Sequence, residues 1–367
     1  MMTPRQRWLA LLNKQPADRI PTDYWATGEF HAKLLSKLGI TDTQAQHPPV
    51  DLGSARSTDE ILWRRLNIDH PRGVGPRWKL KAHPDDPQAD MWGNRHRRID
   101  YGTGSYDEFT TGPLAAMTTP EQVRAFRWPD PDDFDYSPMT EALHHDDGYR
   151  IIQAGGYEPF LIYAGMRGME QAYEDMLLNT DMVEAALEKM FAFFFEHNRR
   201  IFQAGRGHID MTYVAEDLAG QTGPLFSLEI YRRFLLPYQK RMADLARSFG
   251  IHVFYHTDGA AHAFIPDLIH TVGIEVLNPI QWRCPGMERE TLARDYGHLV
   301  AFHGAIDNQQ TLPFGTPQQV AEEVRQTAEI FKSCRWFCAP CHNIQAVTPV
   351  ENVLAMYETA ASLKSPG

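Results

Sequence analysis

Four short polar clusters in the second half of the chain each follow directly after an apolar run of strand length. In chain order they are Glu216-Asp217 after 208–214, His256-Thr257-Asp258-Gly259 after 251–255, His303-Gly304 after 299–302 and Cys341-His342-Asn343 after 336–340. Helical stretches separate the runs. In a (β/α)8 barrel, side chains that carry chemistry lie at the carboxyl ends of successive parallel strands. The pattern therefore predicts an α/β enzyme with a (β/α)8 TIM barrel.

Helix starts and apolar runs extend this prediction to most of the chain. Four Thr-Pro pairs, each followed by Gln or Glu, are typical of helix N-termini, because threonine caps the helix and proline needs no partner for an N–H. The predicted helices are 3–13, 119–126, about 181–204, 227 to about 249 with a kink or break at Pro237, 316–332 and 348–363. The predicted strands are 19–24, 150–154, 208–214, 251–256, 275–279, 299–303 and 335–339.

The region from about 70 to 115 breaks the alternation of strand and helix. It is rich in proline, glycine and charge, and residues 97–101 alternate in polarity, which predicts a β-hairpin insertion. The chain shows no low-complexity linker and no internal repeat of roughly 20–50 residues. We therefore expect a single domain over residues 1–367, with N-terminal helices and this insertion.

The charge and apolar content argue against several classes of function. The formal net charge is −11 and the isoelectric point is near 5.8. Partners such as nucleic acids and anionic membranes require clustered Lys and Arg, which the chain does not offer. The sequence also lacks a signal-peptide core and an apolar stretch of the roughly 18 residues that a membrane span needs. We expect a cytoplasmic protein that acts on a small molecule, and a homodimer remains an alternative to a monomer.

His256 and Asp258 leave the same predicted strand end only two residues apart. They either bind a metal ion or form an acid–base pair in which the carboxylate tunes the imidazole. Alternatively, the imidazole bonds to a loop carbonyl and Asp258-Gly259 is only a turn. Cys341 strengthens the metal hypothesis, because thiolate, imidazole and carboxylate together suit Zn²⁺ better than Mg²⁺ or Ca²⁺. A buried cysteine is, however, just as often a small apolar residue.

Other polar residues near the strand ends have weaker signals. Glu216 and Asp217 are adjacent, so we expect one of them to bind metal or substrate and the other to anchor the loop. His303 is predicted to face the site. Arg167 either binds an anionic group of the substrate or forms a salt bridge with one of the acidic residues that follow it.

Over essentially its whole length, the chain resembles the uroporphyrinogen decarboxylase superfamily. Residues 5–22 resemble the N-terminal helix and first barrel strand of that superfamily. Four later segments are similar to its internal signatures: Asp217-Leu-Ala-Gly-Gln-Thr-Gly-Pro-Leu-Phe-Ser, His256-Thr-Asp-Gly, Gly273-Ile-Glu-Val-Leu-Asn-Pro-Ile-Gln and Ala339-Pro-Cys-His-Asn-Ile-Gln. The resemblance implies the same barrel fold.

One chemistry of the superfamily is the decarboxylation of an octa-acid tetrapyrrole without a cofactor. Its decarboxylases carry an arginine-rich segment after the first strand. The corresponding stretch here, Asp23-Tyr-Trp-Ala-Thr-Gly-Glu-Phe, has no arginine, so a substrate with many carboxylates should bind poorly. This reaction is kept as the alternative, in which His256, Asp217 and Arg167 would orient the substrate and transfer protons.

The other chemistry is zinc-assisted methyl transfer. These enzymes pass a methyl group between a corrinoid protein and a thiol, or take it from donors such as methoxylated aromatics. Their His-x-Cys pair and later cysteine correspond here to His256, Asp258 and Cys341, and Glu216 is a further candidate ligand. The resemblance thus implies zinc, a corrinoid on a partner protein and a small methylated substrate or thiol. A non-catalytic corrinoid-binding or scaffolding protein that kept the fold is the third hypothesis.

The predicted site residues fall into three groups. The catalytic candidates are His256, Asp258, Asp217 and His303. The metal candidates are His256, Cys341 and Glu216. The substrate-binding candidates are Tyr24, Trp25, Arg167, Gln221, His342 and Asn343. Among the last group, the two aromatic residues would seat an aromatic ring or the corrin face.

Overall fold

The computed structural model describes residues 1–41, 57–100, 102, 105–110 and 112–364. Its strands are β1 (Arg72–Val74), β2 (Arg77–Trp78), β3 (His96–Asp100), β4 (Ser105–Phe109), β5 (Phe134–Asp135), β6 (Ile152–Tyr157), β7 (Met211–Ala215), β8 (His252–His256), β9 (Val276–Asn278), β10 (Ala301–Ile306) and β11 (Trp336–Pro340). Its helices are α1 (Pro4–Leu12), α2 (Gly28–Leu38), α3 (Ser57–Arg65), α4 (Pro120–Ala125), α5 (Ser137–His144), α6 (Pro159–Arg167), α7 (Met169–Leu178), α8 (Thr180–Ala204), α9 (Leu228–Phe234), α10 (Leu236–Ser248), α11 (Ile265–Asp267), α12 (Arg289–Tyr296), α13 (Thr311–Phe314), α14 (Pro317–Ile330) and α15 (Val350–Ser362).

Seven of these strands form one parallel sheet in the order β1-β6-β7-β8-β9-β10-β11. From β6 onward, strands adjacent in the sheet are also consecutive in the chain, and one or more helices connect each pair. Parallel neighbours need such crossovers, because the chain must return to the same end of the sheet before it starts the next strand. The α/β class predicted from the alternation of apolar runs and helices is confirmed.

The segment 21–26 is bonded to the last strand of this sheet. The carbonyl of Cys338, in β11, accepts the N–H of Asp23 at 3.0 Å, and Thr22 forms a parallel bridge with Cys338. On the other side of the segment, the Thr22 carbonyl accepts the N–H of Asp69 at 2.8 Å, shortly before β1 begins. The strand predicted at 19–24 is therefore an extended segment that contacts both β11 and the chain leading into β1.

The inner face of the sheet packs around the N-terminal helix. Trp8 of α1 is fully buried, and its indole stacks on Phe337 of β11 with ring centroids 4.0 Å apart. The same cluster takes one residue from or beside each remaining strand between β6 and β10: Ile151, Met211, Phe254, Val276 and Ala301. In a flat sheet β6 and β11 would lie about 24 Å apart. Because their side chains meet in one cluster, the sheet is curled around Trp8.

The region predicted as an insertion, about 70 to 115, is divided between two parts of the fold. Its first residues form β1, which pairs in parallel with β6 and so belongs to the main sheet. Further along, β3 and β4 pair in antiparallel register, His96 opposite Phe109, which confirms the β-hairpin. The sequence could not separate the two, because β1 is only three residues long.

Most of the predicted helix starts have the expected capping. Thr3, Thr119 and Thr316 each accept a backbone N–H in a complete capping box. Ser227 caps α9, and Pro237 lies in the first turn of α10, so the predicted helix is divided in two. The box predicted at Thr348 is absent, since α15 begins at Val350 without a side-chain cap.

No helix within the described ranges has the combination of length and apolar character that crossing a membrane requires.

Candidate active site

Parallel pairing aligns the ends of three neighbouring strands. His256, the last residue of β8, lies opposite Ala215 of β7 and Asn278 of β9. The predicted clusters at Glu216-Asp217 and at Asp258 follow these strand ends directly. The carboxyl ends of parallel strands open on one edge of the sheet, which is where the sequence places the site.

Two histidines and one aspartate form the group of potential metal ligands at this edge. One ligand atom from each of His256, Asp258 and His342 lies within 4.8 Å of the others. Asp258 Oδ1 is 4.0 Å from His256 Nε2, and its Oδ2 is 3.7 Å from His342 Nε2. Two imidazole nitrogens and a carboxylate oxygen are a common zinc donor set, and three protein ligands leave a position open. The residues present therefore fit a catalytic metal ion.

Carboxylates surround this group, and two of them have a raised pKa. Burial raises the pKa of Glu158, and the charges of Asp217 and Asp258 raise it further, while His256 opposes the shift. Burial also raises the pKa of Asp258, against the opposing effect of the two histidines. Asp217 lies 3.9 Å from His256 Nε2. Because several acids share one partly buried site, a bound cation would be favoured there.

Aromatic rings flank the imidazole of His256. Trp25 is stacked on it at a centroid distance of 5.7 Å and Tyr213 at 5.8 Å. The Trp25 indole N–H donates to Asp23 Oδ2 at 2.9 Å, which holds the ring in place. Trp25 thus lies against the predicted catalytic histidine, and its part in substrate binding stays a prediction.

A cavity of about 440 Å³ opens beside the metal-ligand group. Asp258 and His342 line it together with an amide-rich wall that includes Gln221, Gln281 and Gln309. Gln281 donates to Asp258 Oδ1 at 2.9 Å and accepts a bond from Gln221 at 2.9 Å. The amides thus orient the carboxylate and offer hydrogen-bonding groups to a small molecule. Of the predicted substrate-binding residues, Gln221 and His342 lie here.

The predicted ligand Cys341 lies in a different environment. Its side chain is buried, and the Sγ–H donates to the Ile280 carbonyl at 3.1 Å. Burial and the nearby carboxylates Asp307 and Glu323 raise the pKa of the thiol well above its usual range. Zinc binds the thiolate, so coordination would require this sulfur to lose its proton. Cys341 remains a predicted ligand, outside the His256–Asp258–His342 group.

The predicted ligand Glu216 is engaged at a helix start. Its two carboxyl oxygens accept the backbone N–H groups of Phe160 at 2.8 Å and Leu161 at 3.2 Å, in the first turn of α6. Full burial nevertheless raises the pKa of Glu216 well above its usual range, helped by the charge of Glu158. Glu216 therefore contacts the start of α6, whereas Asp217 lies 3.9 Å from His256 Nε2. Glu216 remains a predicted metal ligand, outside the His256–Asp258–His342 group.

The raised pKa of Glu216 predicts how stability depends on pH. Above about pH 4.3, the unfolded-state value, the unfolded chain releases this proton and the folded protein keeps it. Stability therefore falls as pH rises towards the folded-state pKa. Glu216→Gln removes this contribution. Between pH 5 and pH 8, the free energy of unfolding measured with urea should therefore decline less in the variant than in the wild type, by at least about 1.4 kcal/mol. Exposed Glu229→Gln is the control, and equal declines in all three proteins would contradict the prediction.

Three other predicted substrate-binding residues have mainly structural contacts. Arg167 is buried, forms an ion pair with Asp175 at 2.7 Å and donates to the Leu114 carbonyl, which is the salt-bridge alternative that the sequence left open. The Tyr24 hydroxyl lies 3.2 Å from His31 Nδ1. Asn343 follows His342, and its backbone carbonyl accepts from Asn308 and Gln345.

The sequence did not reveal the hydrogen-bond partners on the Nδ1 side of His256. Asn278 Oδ1 lies 2.6 Å from His256 Nδ1, and Asn278 Nδ2 lies 2.7 Å from His303 Nδ1. His303 Nε2 is in turn 2.9 Å from Asp23 Oδ2. The signal was present for both residues, because Asn278 is the next-to-last residue of the predicted strand 275–279 and Asp23 is the next-to-last residue of the predicted strand 19–24.

The chain belongs to the uroporphyrinogen decarboxylase (URO-D) family, whose profile matches residues 151–363. In three dimensions it is similar to a methyltransferase from Methanosarcina mazei, with 18% sequence identity, 98% of both chains covered and a TM-score of 0.65. At this identity the similarity is one of fold. A B12-independent methionine synthase from Shewanella sp. W3-18-1 is a weaker match, with 12% identity, 74% of both chains covered and a TM-score of 0.35. No curated protein matches the chain.

Proposed function

We propose that this protein is a zinc-dependent methyltransferase, which moves a methyl group between a methylated small molecule or thiol and a corrinoid carried by a partner protein. The observation that carries the proposal is the His256–Asp258–His342 group, with its three ligand atoms within 4.8 Å of one another at the open edge of the sheet. The similarity in fold to a methyltransferase supports it.

The proposal includes the architecture. Segment 21–26 would be the first of eight strands in a closed (β/α)8 barrel, followed by β1 and β6 to β11, within one domain over residues 1–367. The bonds of this segment to Cys338 on one side and to Asp69 on the other support closure.

The chain's own residues have separable tasks in this reaction. His256, Asp258 and His342 would hold the metal ion, whose bound form acts as a Lewis acid that lowers the pKa of a thiol or polarises the oxygen of a methyl ether. Asp217, 3.9 Å from His256 Nε2, would take up the proton that the thiol releases. Trp25 and Tyr213 would form an aromatic side of the site, next to His256. The amide-lined cavity of about 440 Å³ would hold the substrate.

Metal analysis and a methyl-transfer assay test the proposal together. We expect purified protein reconstituted with zinc to hold about one equivalent and to demethylate methylcobalamin when a thiol is supplied. Prolonged treatment with a chelator should abolish turnover, and added Zn²⁺ should restore it. Protein that binds no zinc, or that is equally active without it, would contradict the proposal.

The second candidate is cofactor-free decarboxylation, which membership of the URO-D family favours. The carboxylates around His256 weigh against it for a polyanionic substrate, because they would repel its acid groups. Release of CO₂ from uroporphyrinogen by the metal-free protein would establish this activity in place of methyl transfer.

A further inference from the structure

A chain of buried hydrogen bonds runs beneath the candidate metal site. It links Asp23, from the first extended segment, through His303 of β10 and Asn278 of β9 to His256 of β8, with successive distances of 2.9, 2.7 and 2.6 Å. None of the four residues is more than 6% exposed. The bond between His303 and Asp23 connects residues that are 280 positions apart in the sequence.

The chain begins at an ionised carboxylate. Asp23 accepts bonds from the indole of Trp25 and the backbone N–H of Tyr24, and two imidazoles lie against it, those of His70 and His303. Burial raises the pKa of Asp23, but the two histidines outweigh this effect and hold it well below its usual range. An ionised carboxylate can only accept hydrogen bonds. His303 must therefore donate to it from Nε2.

The donor and acceptor roles at His303 determine those at His256. The Asn278 Nδ2 atom, which can only donate, lies 2.7 Å from His303 Nδ1, so Nδ1 is the acceptor nitrogen of that ring and the proton is on Nε2. The same amide then presents its oxygen to His256 Nδ1, which must carry a proton in order to donate. Nε2 of His256 is left with its lone pair, and this is the atom that faces Asp217 and Asp258.

The amide in the chain distinguishes orientation from proton relay. An imidazole can exchange its donor and acceptor nitrogens by moving a proton, whereas an amide has a fixed donor end and a fixed acceptor end. Asn278 therefore transmits the direction of hydrogen bonding from His303 to His256 without passing a proton between them. A metal-bound histidine commonly donates its other ring N–H to such an acceptor, which sets the tautomer.

We propose that Asn278, His303 and Asp23 are positioning residues that hold His256 in the Nδ1–H tautomer, so that its Nε2 lone pair is ready to bind the metal ion. The inference deepens the proposed function and rests on it for the identity of the ligand. It also predicts that two neighbouring histidines have opposite tautomers, Nδ1–H for His256 and Nε2–H for His303.

The tautomers are measured in metal-free protein by ¹⁵N NMR after selective labelling of the histidine rings. Signals are assigned from their loss in His256→Gln and His303→Gln. The wild type should show Nδ1–H at His256 and Nε2–H at His303. A wild-type His256 protonated at Nε2 instead would overturn the inference, and this measurement needs neither zinc nor activity.

Zinc affinity, measured by competition with a chelator, tests the consequence for the metal. Asn278→Ala should lower affinity about 10–100-fold, the usual effect of losing a partner of a metal ligand, and should shift His256 towards the Nε2–H tautomer. Asn278→Asp keeps an acceptor for the His256 N–H, so its affinity should not fall. The matched control is Asn352→Ala, equally buried but bonded to the carbonyls of Leu312 and Gly315.

The outcomes separate the two proposals. Unchanged zinc affinity in Asn278→Ala would overturn the positioning role, as would an equal loss in Asn352→Ala. Wild-type protein that shows the predicted tautomers but binds no zinc would overturn the proposed function instead. If Asn278→Ala fails to fold, the wild-type tautomers and the affinity of Asn278→Asp still decide the question.

Discussion

Replacing His256 by alanine is expected to abolish stoichiometric zinc binding and methyl transfer. Zinc held by four protein ligands is bound with about 10–16 kcal/mol, so one lost ligand costs on the order of 4 kcal/mol, or about a thousandfold in affinity. His256 Nε2 lies 4.0 Å from Asp258, the member of the candidate ligand group that also approaches His342. Zinc titration with a competing chelator measures the loss, and turnover of methylcobalamin with a thiol measures the activity.

The same measurement distinguishes two sets of ligands. If the ion is held by the group seen in the structure, Asp258→Ala and His342→Ala should approach the effect of His256→Ala, and Cys341→Ala should change affinity by less than about tenfold. If Cys341 and Glu216 are ligands, as the resemblance implies, Cys341→Ala and Glu216→Gln should lose zinc and His342→Ala should retain it. A His256→Ala protein with wild-type affinity would exclude both sets.

Replacing Trp8 by alanine is expected to lower the free energy of unfolding by about 3–5 kcal/mol, the usual cost of deleting a fully buried large aromatic side chain. Its indole is 0% exposed and stacks on Phe337 at 4.0 Å. It also fills the inner face of the curled sheet, where side chains from β6 to β11 meet. The backbone around that face is held by hydrogen bonds to neighbouring strands, so it can collapse only partly into the space. Equilibrium urea unfolding monitored by circular dichroism measures the change.

Two further variants provide the controls for Trp8. Trp8→Phe keeps a ring against Phe337 and should lose about half as much stability. Trp78→Ala removes the same side chain from β2, a two-residue strand that pairs with β5 in a two-stranded sheet. The indole there is partly exposed, so this change should cost less than about 1.5 kcal/mol. Equal losses in Trp8→Ala and Trp78→Ala would show that the inner cluster does not depend on α1.

Local chemistry allowed much of the fold to be predicted. The caps at Thr3, Thr119 and Thr316 depend on residues within one helical turn, so the sequence alone indicates where those helices start. The strands after residue 150 were visible because parallel strands buried on both faces are continuous apolar runs. β1 was not predicted, because its three residues acquire strand geometry only by pairing with β6.

The site was predictable to the extent that its residues share a strand end. His256 and Asp258 are two residues apart, and both reach the candidate metal group. The third member, His342, is adjacent in sequence to Cys341, and only the path of the chain after β11 decides which of the two approaches Asp258. His342 Nε2 lies 3.7 Å from Asp258, whereas the Cys341 thiol bonds to the carbonyl of Ile280.

By itself, the sequence determined which side chains stand at the open ends of the strands, because polar residues after apolar runs mark those ends. Only the tertiary structure decided which of them meet. Asn278 lies opposite His256 through the pairing of β8 with β9, and Asp23 reaches His303 because the first extended segment packs beside β11. Such contacts depend on strand register and on the curl of the sheet, which are set by packing across the whole molecule and leave no local pattern in the chain.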